Sequence, residues 1–389
     1  MQISLTHDTI GQDDIEDLIS WLRTNPRLTK GEQTESFERE FAAYIGCKYA
    51  VYVNSGSSAN LLMLSVLQDR LANKKVIVPI LSWSTDVSPI LQLGYEPVFI
   101  GYDEETLQPN IDDLLEALNN ADGAPSIFLC VSALGLVPEM QKIRDYCNSF
   151  GTILLEDNCE SLGAGYDGVK LGNFGLMGSF SFYYSHHISS VEGGMITTNN
   201  ELIYKKLLCQ RSHGWLRDLP EYPQIEKEIG LKAKYHFVDT GYNLRATDIQ
   251  ARIGRNQLKK LPDIIKKRNG NFHDFRAFTH ESNLFKFRVD DKCEISSFAI
   301  PIFTNGDYRD LSRKLTTANI EHRPLICGDI SNQPFVKNSG NYLNYASDEQ
   351  RKQLDERSMY IPNHTGLTEE NIEFMADIIN QHFTETIHV

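Results

Sequence analysis

"YAVYVNSGSSAN", residues 49–60, joins a short apolar strand to a Gly/Ser turn and the start of a helix. The β-branched and aromatic residues of 49–53 suit a strand, the turn breaks it, and a helical pattern runs over 57–71. The same unit recurs outward along the chain. "KVIVPI" (75–80) precedes a helix over 85–93, and "EPVFI" (96–100), "SIFLCVS" (126–132) and "TILLED" (152–157) continue the series. A helix in "PEMQKIRDYCNSF" (138–150) precedes the last of these. Short buried strands alternating with helices predict an α/β fold with a mostly parallel sheet covered on both faces. Ligands of such sheets sit at the C-terminal ends of the strands.

On either side the pattern changes. Before the sheet, "DDIEDLISWLRT" (13–24) places Ile15, Leu18, Ile19 and Leu22 on one helix face. "TESFEREFAAYIG" (34–46) does the same with Phe37, Phe41 and Tyr44, and Gly46 stops that helix. After the sheet, "GYNLRATDIQARIGRNQLKKL" (241–261) reads as a helix with Ile249, Ile253, Leu258 and Leu261 inward, followed by a long helix to about residue 278. "KKRNGN" (266–271) reads as a solvated helix face or turn. Short strands near "SSFAIPIF" (296–303) and helices near 306–318 and 367–382 predict a smaller α+β unit. A chain of 389 residues accommodates both. The expected division is a large α/β domain with an N-terminal helical arm over 1–248 and a small α+β domain over 249–389.

Bulk properties exclude several classes. A net charge of −14 argues against a nucleic-acid surface, which needs a basic face. It leaves room for a small anion, because a phosphate site needs only local N–H groups and one or two cations. "MQISLTHDTIGQDD" lacks the basic start and apolar run of an export signal, and no apolar stretch approaches the ~18–20 residues of a membrane helix. The seven cysteines include no CxxC pair, so neither a disulfide framework nor a metal site is expected. Reduced thiols in a cytoplasmic protein are the expectation.

The strand ends carry the chemistry. Backbone N–H groups at Gly56, Ser57 and Ser58, with the serine hydroxyls and the helix dipole, can hold a phosphate; the same turn can equally serve as a helix cap. Trp83, just past another strand, is either core or a stacking surface for a planar ring. "LLEDNCES" (154–161) ends a buried strand with Glu156, Asp157 and Glu160, carboxylates that need partners. A cationic pyridine nitrogen is one such partner. "FSFYYSHHISSVEGG" (180–194) adds Ser181, His186 and His187, and "GYNLR" (241–245) adds Asn243 and Arg245. A phosphate cradle, an aromatic face, an acid for a ring nitrogen and a basic residue together describe a pyridoxal phosphate site.

The order of these motifs, with "RSHGW" and "NIEHRPL", resembles the DegT/DnrJ/EryC1/StrS sugar aminotransferase family of fold-type-I pyridoxal phosphate enzymes over nearly the whole chain. The resemblance implies that Ser57, Ser58 and Ser181 hold the phosphate, Trp83 stacks on the ring and Asp157 pairs with its nitrogen. It implies a homodimer in which Asn243 reaches the neighbouring subunit's cofactor phosphate. Arg217 and Arg323 are candidates to clamp glutamate carboxylates or a sugar diphosphate, or are ordinary surface ion-pairing residues. Asp329 stands where the family carries asparagine.

One departure decides the expected reaction. Ordinary members place a lysine between the "FSF" strand and the "EGG" corner to anchor the cofactor covalently. Here that register holds His186, with His187 beside it as the alternative base; the nearest lysine, Lys170, precedes the strand. Imidazole forms no lasting link to an aldehyde, yet serves as general base near neutral pH. The histidine variant resembles the family's 3-dehydratases, which remove the C3 hydroxyl of a nucleotide-linked 4-keto-6-deoxy sugar. The resemblance implies a GDP-linked 4-keto-6-deoxymannose, cofactor cycling non-covalently between pyridoxal and pyridoxamine phosphate, and L-glutamate giving 2-oxoglutarate. An iron–sulfur branch would need clustered cysteines, and "LLCQRSHGWLRD" offers only Cys209. Alternatives are a sugar 4-aminotransferase, a CDP- or dTDP-sugar 3-dehydratase, and a non-catalytic protein of the same fold.

Overall fold

The computed structural model describes residues 2–71, 73–120, 125–280 and 291–386. Fourteen strands occur among them. They are β1 (Tyr49–Val53), β2 (Lys75–Pro79), β3 (Glu96–Ile100), β4 (Ile127–Val131), β5 (Ile153–Asp157), β6 (Gly165–Tyr166) and β7 (Val169–Lys170). Then follow β8 (Met177–Ser181), β9 (Gly194–Thr198), β10 (Cys293–Glu294), β11 (Ile300–Phe303), β12 (Arg323–Pro324), β13 (Leu343–Asn344) and β14 (Ser358–Ile361).

Eight strands form one sheet in the order β1-β9-β8-β5-β4-β2-β3-β13. The run from β8 through β5, β4 and β2 to β3 is parallel, and β9 is antiparallel to both β8 and β1. The expected strands are all present, and their near-continuous burial is what a sheet covered on both faces requires. The helices Gly56–Ser65, Ser84–Gln92 and Met140–Phe150 fall where the periodicity predicts them. A second unit consists of β11-β14-β12 with the helices Arg309–Thr317 and Glu369–Thr386.

Three expectations need correction. The helix read over 241–261 begins only at Asp248. Residues before it are drawn out along the end of β1, where the Asn54 N–H donates to Leu244 O at 2.9 Å and Val53 pairs with Arg245. Thr247 caps the helix reciprocally with Gln250, and one continuous helix runs to Phe278 through Pro262. Second, "KKRNGN" is not wholly solvated: Lys266 and Lys267 are exposed, but Arg268 and Asn271 are buried. Third, the apolar face of the Gln12–Leu22 helix is turned outward, leaving Ile15 38%, Ile19 43% and Leu22 37% exposed. That helix docks through its acids instead. Asp14 accepts from Gln257 Nε2 (2.8 Å) and Lys260 Nζ (2.7 Å), and Asp17 takes a two-pronged bond from Arg252. The second helix keeps its predicted face, with Phe37 and Phe41 fully buried and Gly46 in the left-handed region at φ 85°. Among the described residues no helix is long and apolar enough to cross a membrane.

Candidate active site

The C-terminal ends of β1, β5 and β8 open onto one cavity of about 460 Å³. Gly56, Ser57, Trp83, Asp157, Glu160, Ser181 and His186 all line it, so seven of the sequence candidates converge. The Gly/Ser turn supplies one wall. Ser55 caps the Gly56–Ser65 helix by accepting from the Ser58 N–H at 3.1 Å, and Ser58 Oγ is 3.0 Å from Ser55 Oγ. The Ser58 hydroxyl is held by Ser55 and stays out of the lining. The turn is tight because its neighbours demand it. A Cβ on Gly56 would stand 2.8 Å from both Cys159 Sγ and Ser181 Cβ, and one on Gly194 would come within 2.6 Å of Gly56 N. That is a physical reason for glycine at both places.

Pleating separates the acids of β5. Glu156 points away from the cavity and accepts from the N–H groups of Gly172 (2.6 Å), Phe174 (2.8 Å) and Gly175 (2.7 Å). Asp157 points into it, taking bonds from Cys159 N at 2.8 Å and Asn60 Nδ2 at 2.5 Å. Glu160 accepts from Leu134 N at 2.9 Å, and burial pushes its carboxyl up to about 7. Trp83 is 54% exposed, its indole free to cover a ring from one side.

The histidines stand on the loop 182–193 between β8 and β9. A turn closed by His186 N donating to Tyr183 O at 2.9 Å presents His186 to the cavity. Burial first, then the charge of Arg268, pull its imidazole down to about 4, so the ring is neutral at neutral pH. Arg268 reaches this loop from the long helix. It donates to Asn363 O (2.6 Å), Phe298 O (2.8 Å) and His186 O (3.4 Å). His187 lies behind, fully buried, with Nε2 2.9 Å from Ser296 O, and does not line the cavity. A carbonyl only accepts, so this bond puts the His187 proton on Nε2. Lys170 stacks on the Tyr44 ring at 4.7 Å, outside the cavity lining.

The remaining candidates lie outside this cavity. Asn243 is exposed and accepts from Arg245 Nε at 3.1 Å, while Arg245 also contacts His213. Arg217 stacks on Trp215 at 5.0 Å. The Arg323 guanidinium, on β12, donates to the carbonyl of its neighbour His322 at 2.9 Å. Asp329 is buried in an ion pair with Arg351 at 2.9 Å. The cavity also contains residues that sequence reading passed over: Asn60, Asp86, Cys159, Phe298 and Tyr360 among them. Asn60 was within reach, one helical turn after Gly56 on the same face. Phe298 and Tyr360 arrive from the second unit and carry no local signal.

These features fit pyridoxal phosphate. A helix N-terminus with two hydroxyls faces a buried carboxylate, an indole lies at the rim, and an imidazole lines the wall. A sequence profile for the "DegT/DnrJ/EryC1/StrS aminotransferase family" matches residues 8–380. The chain is 34% identical to GDP-4-keto-6-deoxy-D-mannose 3-dehydratase of Escherichia coli O55:H7 across 94% of this chain and 97% of that one. Two solved structures of a GDP-4-keto-6-deoxymannose 3-dehydratase superpose with TM-score 0.89 at 33% identity, covering 97% of this chain and all of theirs. One has a histidine replaced by asparagine and holds GDP-perosamine; the other holds a trapped PLP–glutamate geminal diamine. The chain belongs to the DegT/DnrJ/EryC1/StrS aminotransferase family.

Proposed function

We propose that this chain removes the C3 hydroxyl of a nucleotide-linked 4-keto-6-deoxy sugar, with GDP-4-keto-6-deoxy-D-mannose as substrate. Pyridoxal phosphate and its amine form are the cofactor, held without a covalent bond, and L-glutamate is the amino donor. The observation that carries this reading is an imidazole where a covalent anchor would need an amine: His186 lines the cavity, and among the described residues no lysine does. The similar enzymes described above, with GDP-sugar and glutamate adducts bound, support the same substrate pair.

The bound cofactor supplies an electron sink for the sugar carbons. The protein's part is binding, orientation and proton handling. The N–H groups from Gly56 onward, with the Ser57 and Ser181 hydroxyls, hold the phosphate. Asp157 holds the ring nitrogen, Glu160 adds a second polar contact to the cofactor and Trp83 covers one ring face. His186, neutral at working pH, would accept the cofactor C4′ proton on its imidazole. His187, bound to Ser296, braces the loop rather than touching sugar.

The protein acts as a cytoplasmic homodimer in this reading, with residues 1–248 as the large domain and 249–389 as the small one. Asn243 serves the partner's cofactor phosphate, and Arg217, Arg245 and Arg323 are the candidates for substrate carboxylate or diphosphate. The exposed apolar side chains Leu231 (78%), Tyr235 (74%) and Phe237 (53%), close in sequence to Asn243, support a subunit contact there.

The test is product analysis with GDP-4-keto-6-deoxymannose, pyridoxal phosphate and glutamate. The expected products are the 3,6-dideoxy ketosugar, ammonia and 2-oxoglutarate. Recovery of a stable amino sugar overturns the reading in favour of an aminotransferase, and preference for a CDP- or dTDP-sugar reassigns the nucleotide.

A further inference from the structure

Asp86 lies in the first turn of the Ser84–Gln92 helix and is 2% exposed. Its Oδ2 accepts from the Trp83 N–H at 2.8 Å, which caps the start of that helix. Capping accounts for that oxygen only. Oδ1 accepts from Asn60 Nδ2 at 2.8 Å, and the same nitrogen donates to Asp157 Oδ2 at 2.5 Å. Ser179 Oγ donates to Asn60 Oδ1 at 2.6 Å, so the amide cannot flip without losing all three bonds. Both hydrogens of one amide therefore tie two carboxyls into a single unit.

The titratable groups facing Asp86 are acids and thiols. Asp157 and Glu160 act on it from the end of β5, and the Cys159 and Cys327 thiols flank it; no lysine or arginine is among them. Burial, then the charge of Asp157, push the Asp86 carboxyl well above the ordinary carboxylate range. Two carboxyls enclosed together without a cation keep a proton, because like charges at close range cannot both be ionised cheaply.

We propose that Asp86 and Asp157 form an acid pair that keeps one proton on Asp86 while no cation is present, and that Asp86 sets how strongly Asp157 holds the cofactor's ring nitrogen. This rests on the cofactor reading above. A cation beside Asp157 favours ionisation of Asp86: its O–H bond breaks, the electron pair stays on the carboxylate and the proton leaves to solvent. The pair then carries two negative charges against the ring cation. Asp86 acts through Asp157 and is a positioning residue.

Two measurements test the pair. The first is the dissociation constant of pyridoxamine phosphate against pH for the full-length wild type and Asp86→Asn. Both share the cofactor's own titration, so their difference isolates Asp86. Wild-type affinity is expected to rise with pH more steeply than the variant's, by up to about tenfold per pH unit. Parallel slopes overturn the proposal. The second needs no variant and no cofactor: infrared spectra of cofactor-free wild type labelled with [4-¹³C]aspartate. A protonated aspartic carboxyl band persisting at neutral pH is expected, and its absence overturns the proposal. If wild type fails to bind pyridoxamine phosphate at all, the cofactor reading falls while the infrared result still decides the pair.

Discussion

His186 and Glu160 share one cavity, and burial moves each toward its neutral form. For His186 the consequence is an imidazole that stays unprotonated down to about pH 4, so in the proposed role of base its titration does not limit turnover between neutrality and mild acid. His186→Asn keeps the size and loses the base. Single-turnover dehydration should fall by about 10²–10⁴-fold while pyridoxamine phosphate still binds by equilibrium dialysis. Replacement by lysine should instead yield a persistent covalent cofactor adduct, visible in the absorbance, with dehydration lost. Glu160 makes a stability prediction with the opposite sign to a normal paired acid. Its pKa rises from 4.5 to about 7 on folding, so its contribution is complete below 4.5 and is lost as pH climbs through 7. Glu160→Gln retains an acceptor for Leu134 N. In urea unfolding without cofactor it should match wild type below pH 4.5 and be the more stable protein above 7.

Two elements position these residues. The strand–turn–helix unit from β1 into Gly56–Ser65 works only while Gly56 lacks a side chain. Gly56→Ala pushes a methyl group into Cys159 and Ser181, overpacking that typically costs about 1–3 kcal/mol. Lower stability together with weaker cofactor binding is the expected outcome; a change in neither would mean the turn has slack. The long helix Asp248–Phe278 is the second element. Through Arg268 it fastens the histidine loop to the second unit by three backbone carbonyls. Arg268 has no ion pair among the described residues, and burial lowers its guanidinium to about 10. Arg268→Met strips those carbonyls of their donor and should destabilise the fold by about 1–3 kcal/mol in denaturant unfolding. It also removes the charge that helps keep His186 neutral, so the acid limb of the rate profile should move upward in pH.

At the scale of the molecule, the cavity is assembled from both units: the large sheet supplies Asp157 and the turn, and the second supplies Phe298 and Tyr360. Asn243 and three arginine candidates remain outside it, which is the expected geometry if a second copy completes the site. Bare apolar side chains near Asn243 point the same way. Phe237→Glu puts a charge on that surface and should shift the protein from dimer to monomer in sedimentation velocity, with activity falling in step. A monomeric wild type would sink the shared-site reading. The outward apolar face of the Gln12–Leu22 helix has no comparable explanation within one chain.

The alternation of strands and helices, the Gly/Ser turn and the acid at the end of β5 were legible in the sequence because each depends on neighbours within a few residues. A β-branched run, a Gly/Ser break and a helical period act over one turn of chain, and the histidine in the "FSF"–"EGG" interval is read by register alone. Orientation and partnership were not legible. Which face of the first helix turns inward depended on Arg252, Gln257 and Lys260, more than two hundred residues away in sequence. Whether 241–246 would be helical was decided by pairing with the end of β1. That His186 and not His187 faces the cavity depends on packing that ties His187 to Ser296. Asp86 carries no local signal of its tie through Asn60 to Asp157. Local propensity determined the parts and their order, and only long-range packing, by excluding water and choosing each group's partners, decided which of them face the chemistry.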